Sequence, residues 1–295
     1  MKYPRILAAL RSAQWAISES TLQAIGDTLA ARMTGRLSAS SSELPAPRAF
    51  MDEDDGDGDA PTEPPYEMAA PGVAVVKLHG IIGKNLSSME MMCGGCDIVD
   101  VHERLVAAAA AAEVGAIILD IDSPGGVASG VAEFATAIEQ LSEESGKPII
   151  AYASGLCASA AYWIACGCDA IYSSPSSDVG SIGVYMALVD ESENWAKEGY
   201  RLVLVKAGEH KGAGMSGSKI TPEQEALWQS KVDYIYSQFT AAVRAARPSV
   251  ADTTMQGQTF YGPLAQEVKL VDGIHPDVAS VASEISSFWA MKPAV

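Results

Sequence analysis

From residue 73 onward, apolar residues fall into short runs, and most runs are followed by a stretch with helical spacing. Val73-Ala-Val-Val-Lys-Leu78 reads as a strand, closed by Gly80 and Gly83. Residues 97–112 predict an alanine-rich helix. Val114 to Ile121 reads as a second strand, apolar without interruption until Asp120, as in strands covered on both faces. Ser123-Pro-Gly-Gly126 predicts a tight turn, and Val127 to Ser142 the helix after it. Pro148 to Ala153 is a third strand, leading through small residues into a helix-like apolar pattern at Ala160 to Ala165. Further strands are expected at Ala170-Ile-Tyr172, Val184 to Leu188 and Arg201 to Lys206. Thr221-Pro-Glu-Gln opens a long helix with a threonine cap and a proline in its first turn, running to about Ala246 before Arg247-Pro248. Strands alternating with helices predict an α/β domain built from right-handed βαβ units.

The first seventy residues read differently. Residues 1–36 are expected to form an N-terminal helical segment, in which Ser20-Thr21 caps a helix with Leu22, Ile25, Leu29 and Met33 on one face. Residues 37–70 hold a serine run, several prolines and Asp52-Glu-Asp-Asp-Gly-Asp-Gly-Asp59, which predicts a flexible acidic linker. A calcium loop starting at Asp55 fails, because Ala60 stands where the turn glycine belongs and Tyr66 where the bidentate glutamate belongs. The compact domain is then expected over residues 71–295.

Composition narrows the function classes. Of 295 residues 48% are hydrophobic and 19% charged, enough for a substantial core. The formal net charge of −17 argues against a nucleic-acid-binding face, which needs clustered Lys and Arg. No apolar run approaches the ~20 residues of a membrane helix. The apolar stretch after Met1 is cut short by Arg11, below the ~7–15 residues of a secretory core, so a cytoplasmic protein without export is expected. Cys93, Cys96, Cys157, Cys166 and Cys168 then read as reduced thiols. Cys93-Gly-Gly-Cys96 with Cys166-Gly-Cys168 could supply four zinc ligands, but the second pair has an atypical spacing, which disfavours a zinc site.

Three stretches could carry chemistry. Ser159 stands where a buried strand turns into a helix, a corner that exposes a hydroxyl beside unpartnered helix N–H groups. Asp120-Ile-Asp-Ser-Pro-Gly-Gly126 can present backbone N–H groups after a strand. Lys206-Ala-Gly-Glu-His-Lys211 offers two bases. No histidine lies between Ser159 and Lys206, which leaves His210 as the histidine in reach. A lysine serves equally well if burial lowers its pKa from ~10.4 toward ~7–8. Residue chemistry leaves His210 and Lys211 both open.

These stretches, with Ala158-Ser-Ala-Ala-Tyr162, Gly180-Ser-Ile-Gly-Val184, Tyr261-Gly-Pro-Leu-Ala265 and Leu270-Val-Asp-Gly-Ile274, occur in an order that resembles the S49 family of peptidases. That family includes the signal peptide peptidase SppA and the phage prohead (capsid assembly) proteases. The likeness runs over about residues 72 to 275. It implies a ClpP/crotonase-like fold of stacked βαβ units, a homo-oligomer, polypeptide substrates and no metal or other cofactor. Carried over by position, it makes Ser159 the nucleophile and Lys211 the general base, with Ser181 orienting the lysine. Gly126 and Ala160 would supply the oxyanion N–H groups. Ala160-Ala161 replaces the Gly-Gly of many members, and Lys269-Leu270 replaces Gly-Leu. A phage head protease acting on scaffold and capsid proteins inside a procapsid is the expected role. An SppA-like enzyme degrading signal peptides is the alternative. From other classes come a crotonase-like acyl-CoA hydratase or isomerase and a catalytically silent assembly protein.

Overall fold

A computed structural model describes residues 15–17 and 65–290. In chain order the elements begin with strands β1 (Trp15–Ile17), β2 (Glu67–Ala70), β3 (Val73–His79) and β4 (Ile81–Gly83), then helix α1 (Ser88–Met92). Next come β5 (Gly95–Asp97), α2 (Ile98–Ala110), β6 (Ala116–Ser123), β7 (Gly125–Val127), α3 (Val131–Ser145) and β8 (Ile149–Ala158). They are followed by α4 (Ala160–Ala165), β9 (Ala170–Ser173), β10 (Asp178–Gly180) and α5 (Ser192–Lys197). The last are α6 (Pro222–Ala246), β11 (Thr259–Tyr261), α7 (Gly262–Glu267), β12 (Gly273–Ile274) and α8 (Val278–Ala290).

The chain forms an α/β structure around a mainly parallel sheet of order β11-β10-β8-β6-β3-β2. β3, β6, β8 and β10 run parallel, while β2 and β11 close the two ends antiparallel. Side chains alternate across this sheet. Ala74, Val76, Leu78, Ile117, Leu119 and Ile121 face the large core built with α2, α3, α4 and α6. Val73, Val75, Ile118, Ile150 and Tyr152 face the other way, against Val281 and Ala282 of α8. Coverage on both faces is why these strands are apolar at nearly every position.

β8 is the long strand, and it changes partner along its length. Residues 150–153 pair with β9, and residues 156–158 pair with β10. Where β9 and β10 part, buried Ser174 and Ser177 fill the gap. The Ser177 hydroxyl donates to the Ala153 carbonyl at 2.6 Å and lies 2.7 Å from the Ser174 hydroxyl. On the other side, register slips between Ile121 and Ser123, and the Asp122 carboxylate accepts the Leu156 N–H at 2.9 Å. This irregularity bends β8 just before its last residues.

A second, smaller sheet has the order β1-β7-β4-β5. The chain passes into it directly from the ends of β3 and β6. Buried Ser123 pins both exits: its hydroxyl donates to the Gly80 carbonyl at 2.6 Å and accepts the Gly125 N–H at 3.2 Å.

Several expectations need correction. Ser123–Gly126 is more than a turn, since Gly125 and Gly126 belong to β7. The linker expected over residues 37–70 ends before residue 67, because Glu67–Ala70 is an edge strand held along β3. Within the N-terminal segment, Trp15–Ile17 is extended and paired, where a helical preamble was expected. The helix expected at 20–33 lies outside the described residues. Val184–Leu188 contributes one isolated bridge at Tyr185, and Arg201–Lys206 forms no strand. The β-branched content of 201–206 suits a strand, but Val203 and Val205 are 65% and 94% exposed and no neighbouring strand among the described residues takes up their backbone.

Candidate active site

Ser159 follows the last residue of β8 and caps α4 with backbone angles φ 59° and ψ −120°. A residue bearing a Cβ rarely adopts such a conformation, and holding it costs about 1–3 kcal/mol. The surroundings supply that. The Ser159 N–H donates to the Gly180 carbonyl at 2.8 Å, and the Trp163 N–H donates back to the Ser159 carbonyl at 3.0 Å. All six residues of α4 are buried. Tyr162 donates its hydroxyl to the Leu270 carbonyl at 2.7 Å, and Trp163 stacks on Phe239 of α6 with ring centroids 4.8 Å apart. The helix is six residues long, so these anchors rather than helix propensity fix the corner. The Ser159 hydroxyl makes no hydrogen bond among the described residues, not even to cap its own helix. That leaves it free for a reacting partner. The Ala160 N–H, in the first turn of α4, has no intrahelical acceptor.

Ser181 is Ser159's neighbour. Ala158 pairs with Gly180 across β8 and β10, and each serine is the next residue along. Ser181 also has positive φ, 52°, with its N–H held by the Gln258 carbonyl at 2.8 Å. Two neighbouring serines in strained conformations make this corner the candidate site.

Gly126 approaches from the small sheet. Ser123 pairs with Cys157, so the chain leaves β6 beside the last turn of β8. β7 then packs against α4. A Cβ on Gly126 would lie 1.9 Å from the Ile82 carbonyl oxygen, so close strand approach explains why glycine is needed here. Presentation of an N–H was the reason anticipated from sequence; backbone proximity to β4 is the one the structure adds.

Cys157 lies two residues before Ser159 but is wholly buried, and burial pushes its thiol pKa up. Cys166 is likewise pushed up to about 12 by burial. Protonated thiols make poor nucleophiles, so Ser159 is the candidate nucleophile at this corner. Among the described residues, no group of three or more His, Cys, Asp or Glu side chains is arranged to hold a metal.

The two candidate bases sit elsewhere. His210 and Lys211 are exposed on a turn, where the Lys211 N–H donates to the Gly208 carbonyl at 3.2 Å. Neither side chain bonds Ser159 in this arrangement. Their segment folds on itself: the Asp190 carboxylate accepts the Ser192 and Ile220 N–H groups at 2.9 and 3.0 Å, which gathers α5 and the turn into one flap. The other histidines are committed elsewhere. His102 lies edge-on to Phe134, and His275 is 3.5 Å from Glu284. His79 lies 2.9 Å from Asp120, and that hydrogen bond raises its pKa against the opposing effect of burial.

Sequence reasoning missed the C-terminal brace. Arg247 forms a two-point ion pair with Asp272, whose carboxylate also accepts the Ile171 N–H at 2.8 Å. Burial raises the Asp272 pKa, but Arg247 and the Ile171 N–H outweigh it and hold the carboxyl below its ordinary value. The brace ties the end of α6 to β9 and so backs the Leu270 carbonyl that anchors Tyr162. The Arg247-Pro248 and Leu270–Ile274 stretches were visible, but nothing in their spacing announced that they meet.

Residues 142–284, which take in Ser159, Ser181 and Lys211, match Peptidase family S49. Across this stretch the chain is similar to that family. Capsid assembly protease C of Escherichia phage lambda is 27% identical over 243 residues, 82% of this chain and 52% of that protein. A protein described as a protease in Methanocaldococcus jannaschii is 31% identical over 161 residues, 54% of this chain and 51% of that one. Protease 4 of Salmonella typhi is 29% identical over 179 residues, 59% of this chain and 29% of that one. The chain thus spans about half the length, or less, of these relatives. Among solved structures, a membrane-bound stomatin-specific protease with a substrate peptide aligns over 72% of this chain and 79% of that one, at 19% identity and TM-score 0.39. An enoyl-CoA hydratase/isomerase family protein from Silicibacter pomeroyi aligns over 77% and 82%, at 14% identity and TM-score 0.43. No helix among the described residues is long and apolar enough to cross a membrane.

Proposed function

We propose that the protein is a serine endopeptidase with a Ser159–Lys211 dyad, acting on scaffold and capsid proteins during phage head assembly. The observation that carries the reading is Ser159 itself: a buried, strained serine with an unengaged hydroxyl, beside a helix N-terminus and a glycine strand. In the reaction, neutral Lys211 takes the Ser159 hydroxyl proton as the oxygen attacks the scissile carbonyl. The Gly126 and Ala160 N–H groups stabilise the oxyanion. The C–N bond then breaks, the amine leaves with the proton from Lys211, and water hydrolyses the acyl-enzyme to regenerate Ser159. Ser181, next to the corner, positions the lysine. The phage role is supported by the alignment to the lambda protease, which extends over more of this chain than that to Protease 4.

Lys211 reaches Ser159 on this reading when the flap of residues 184–221 seats over the corner. The flap carries Val189, Tyr200, Val203 and Val205, all largely exposed, which favours seating against a second copy of the chain. A fluorophosphonate probe tests the dyad. It should label the wild type but not Ser159→Ala, and Lys211→Ala or Lys211→Arg should slow labelling by ~10²-fold or more, since arginine stays protonated. His210→Ala should stay within about tenfold of wild type. Loss of labelling in His210→Ala with retention in Lys211→Ala would make the histidine the base.

A further inference from the structure

β7 sits between two strands. On one side it pairs in parallel with β4, Ile82 opposite Gly126. On the other it pairs antiparallel with β1, so that Trp15 faces Val127, Ala16 faces Gly126 and Ile17 faces Gly125. Without β1, β7 would be the edge of the small sheet, with a row of backbone N–H and C=O groups open to an incoming chain. That edge passes the Ser159 corner, because β7 packs against the helix Ser159 caps. An extended polypeptide added to β7 would therefore run past Gly126, the residue assigned to the oxyanion on the peptidase reading. The position is already filled by this chain's own backbone.

We infer that residues 15–17 are a resident occupant of the β7 peptide edge, and that a polypeptide substrate must displace them to reach Ser159. This inference rests on the peptidase reading for its catalytic consequence, though not for the occupancy itself. The energetics suit a displaceable plug. Three residues of antiparallel pairing form a marginal strand by themselves. The strand is, however, tethered through residues 18–66, which holds it near the edge at an effective concentration on the order of a millimolar or below. A dilute or weakly pairing peptide loses to such a competitor. A target presented at high local concentration, or one offering a longer strand, wins. The segment would thus make hydrolysis depend on crowding of the target.

Proline substitution tests this in the full chain, since proline removes a backbone donor and disfavours pairing. Bonded and non-bonded pairs alternate along an antiparallel ladder, so Ala16→Pro and Ile17→Pro between them remove a β7 contact whichever alternation holds. Amide hydrogen exchange of residues 125–127 reads occupancy without any catalysis. Fluorophosphonate labelling of Ser159 reads access. Exchange at 125–127 should quicken at least fivefold in one or both variants, with labelling faster by a similar factor. A synthetic peptide of residues 11–21, added in excess, should slow the variants back toward wild type. Unchanged exchange in both variants would overturn the occupancy. Faster exchange with unchanged labelling would overturn the gating. If exchange quickens while neither wild type nor variants label at Ser159, the occupancy stands and the peptidase reading fails instead.

Discussion

At Ser159 and Ser181 the backbone holds positive φ, 59° and 52°, on side chains that do not favour it. Glycine adopts such angles readily, so a protein selected only for stability would place glycine at both. Ser159→Gly should therefore raise stability by about 1 kcal/mol or more while abolishing probe labelling, and Ser159→Ala should abolish labelling without that gain. Thermal unfolding of the three proteins decides it; an equal melting temperature for the glycine and alanine variants would mean that the corner is not strained. The sequence located this serine, because a buried strand runs through small residues into a helical pattern. It could not show the strain. Backbone angles at a corner are imposed by partners far along the chain, here Gly180, Gln258 and the Leu270 carbonyl that anchors Tyr162. Gly126 is a similar case: its presence was legible, but its need for glycine comes from Ile82, which pattern alone does not place beside it.

Elements declared themselves in the sequence in proportion to how far their own residues decide them. β3, β6 and β8 are buried on both faces over most of their length and read from nearly continuous apolar runs. α6 was bounded well because Thr221 and Gln224 form a reciprocal cap at its start, each backbone N–H received by the other's side chain. The three-residue strands β1, β5 and β7 carry no such signature; they are strands because a neighbour offers an edge. β2 belongs with them. Its four residues are mostly exposed and show no apolar alternation, yet they complete the sheet along β3 and are fastened by Lys77 to Glu67 at 2.6 Å. Just before it, Tyr66 donates to Glu113 at 3.1 Å. A chain shortened to begin at Pro71 loses this strip and leaves β3 as an open edge next to a fully buried Val73. One beginning at residue 65 keeps it. The shorter form should aggregate or melt several degrees lower, by static light scattering and calorimetry, whereas equal behaviour of the two would show that β2 is dispensable and restore the domain start at residue 71.

Across the whole molecule, charge and apolar exposure pull in opposite directions. The chain carries a formal net charge of −17, so copies repel one another at long range. The flap of residues 184–221 meanwhile exposes Val189 at 74%, Tyr200 at 65% and Val205 at 94%. If a second copy covers that flap and so brings Lys211 to a Ser159 corner, association must overcome the repulsion, and salt should help. Raising ionic strength from about 0.01 M to 0.1 M shortens the screening length from ~30 Å to ~10 Å. Sedimentation velocity should then show a shift from monomer toward oligomer over that range, with fluorophosphonate labelling of Ser159 rising in step. Val203→Asp combined with Val205→Asp should hold the protein monomeric and label slowly at both salt concentrations. Because both valines are exposed, the fold itself should change by no more than about 0.5 kcal/mol per substitution. A protein that stays monomeric throughout and labels at full rate would show that the flap closes within one chain, and the valines would need another explanation.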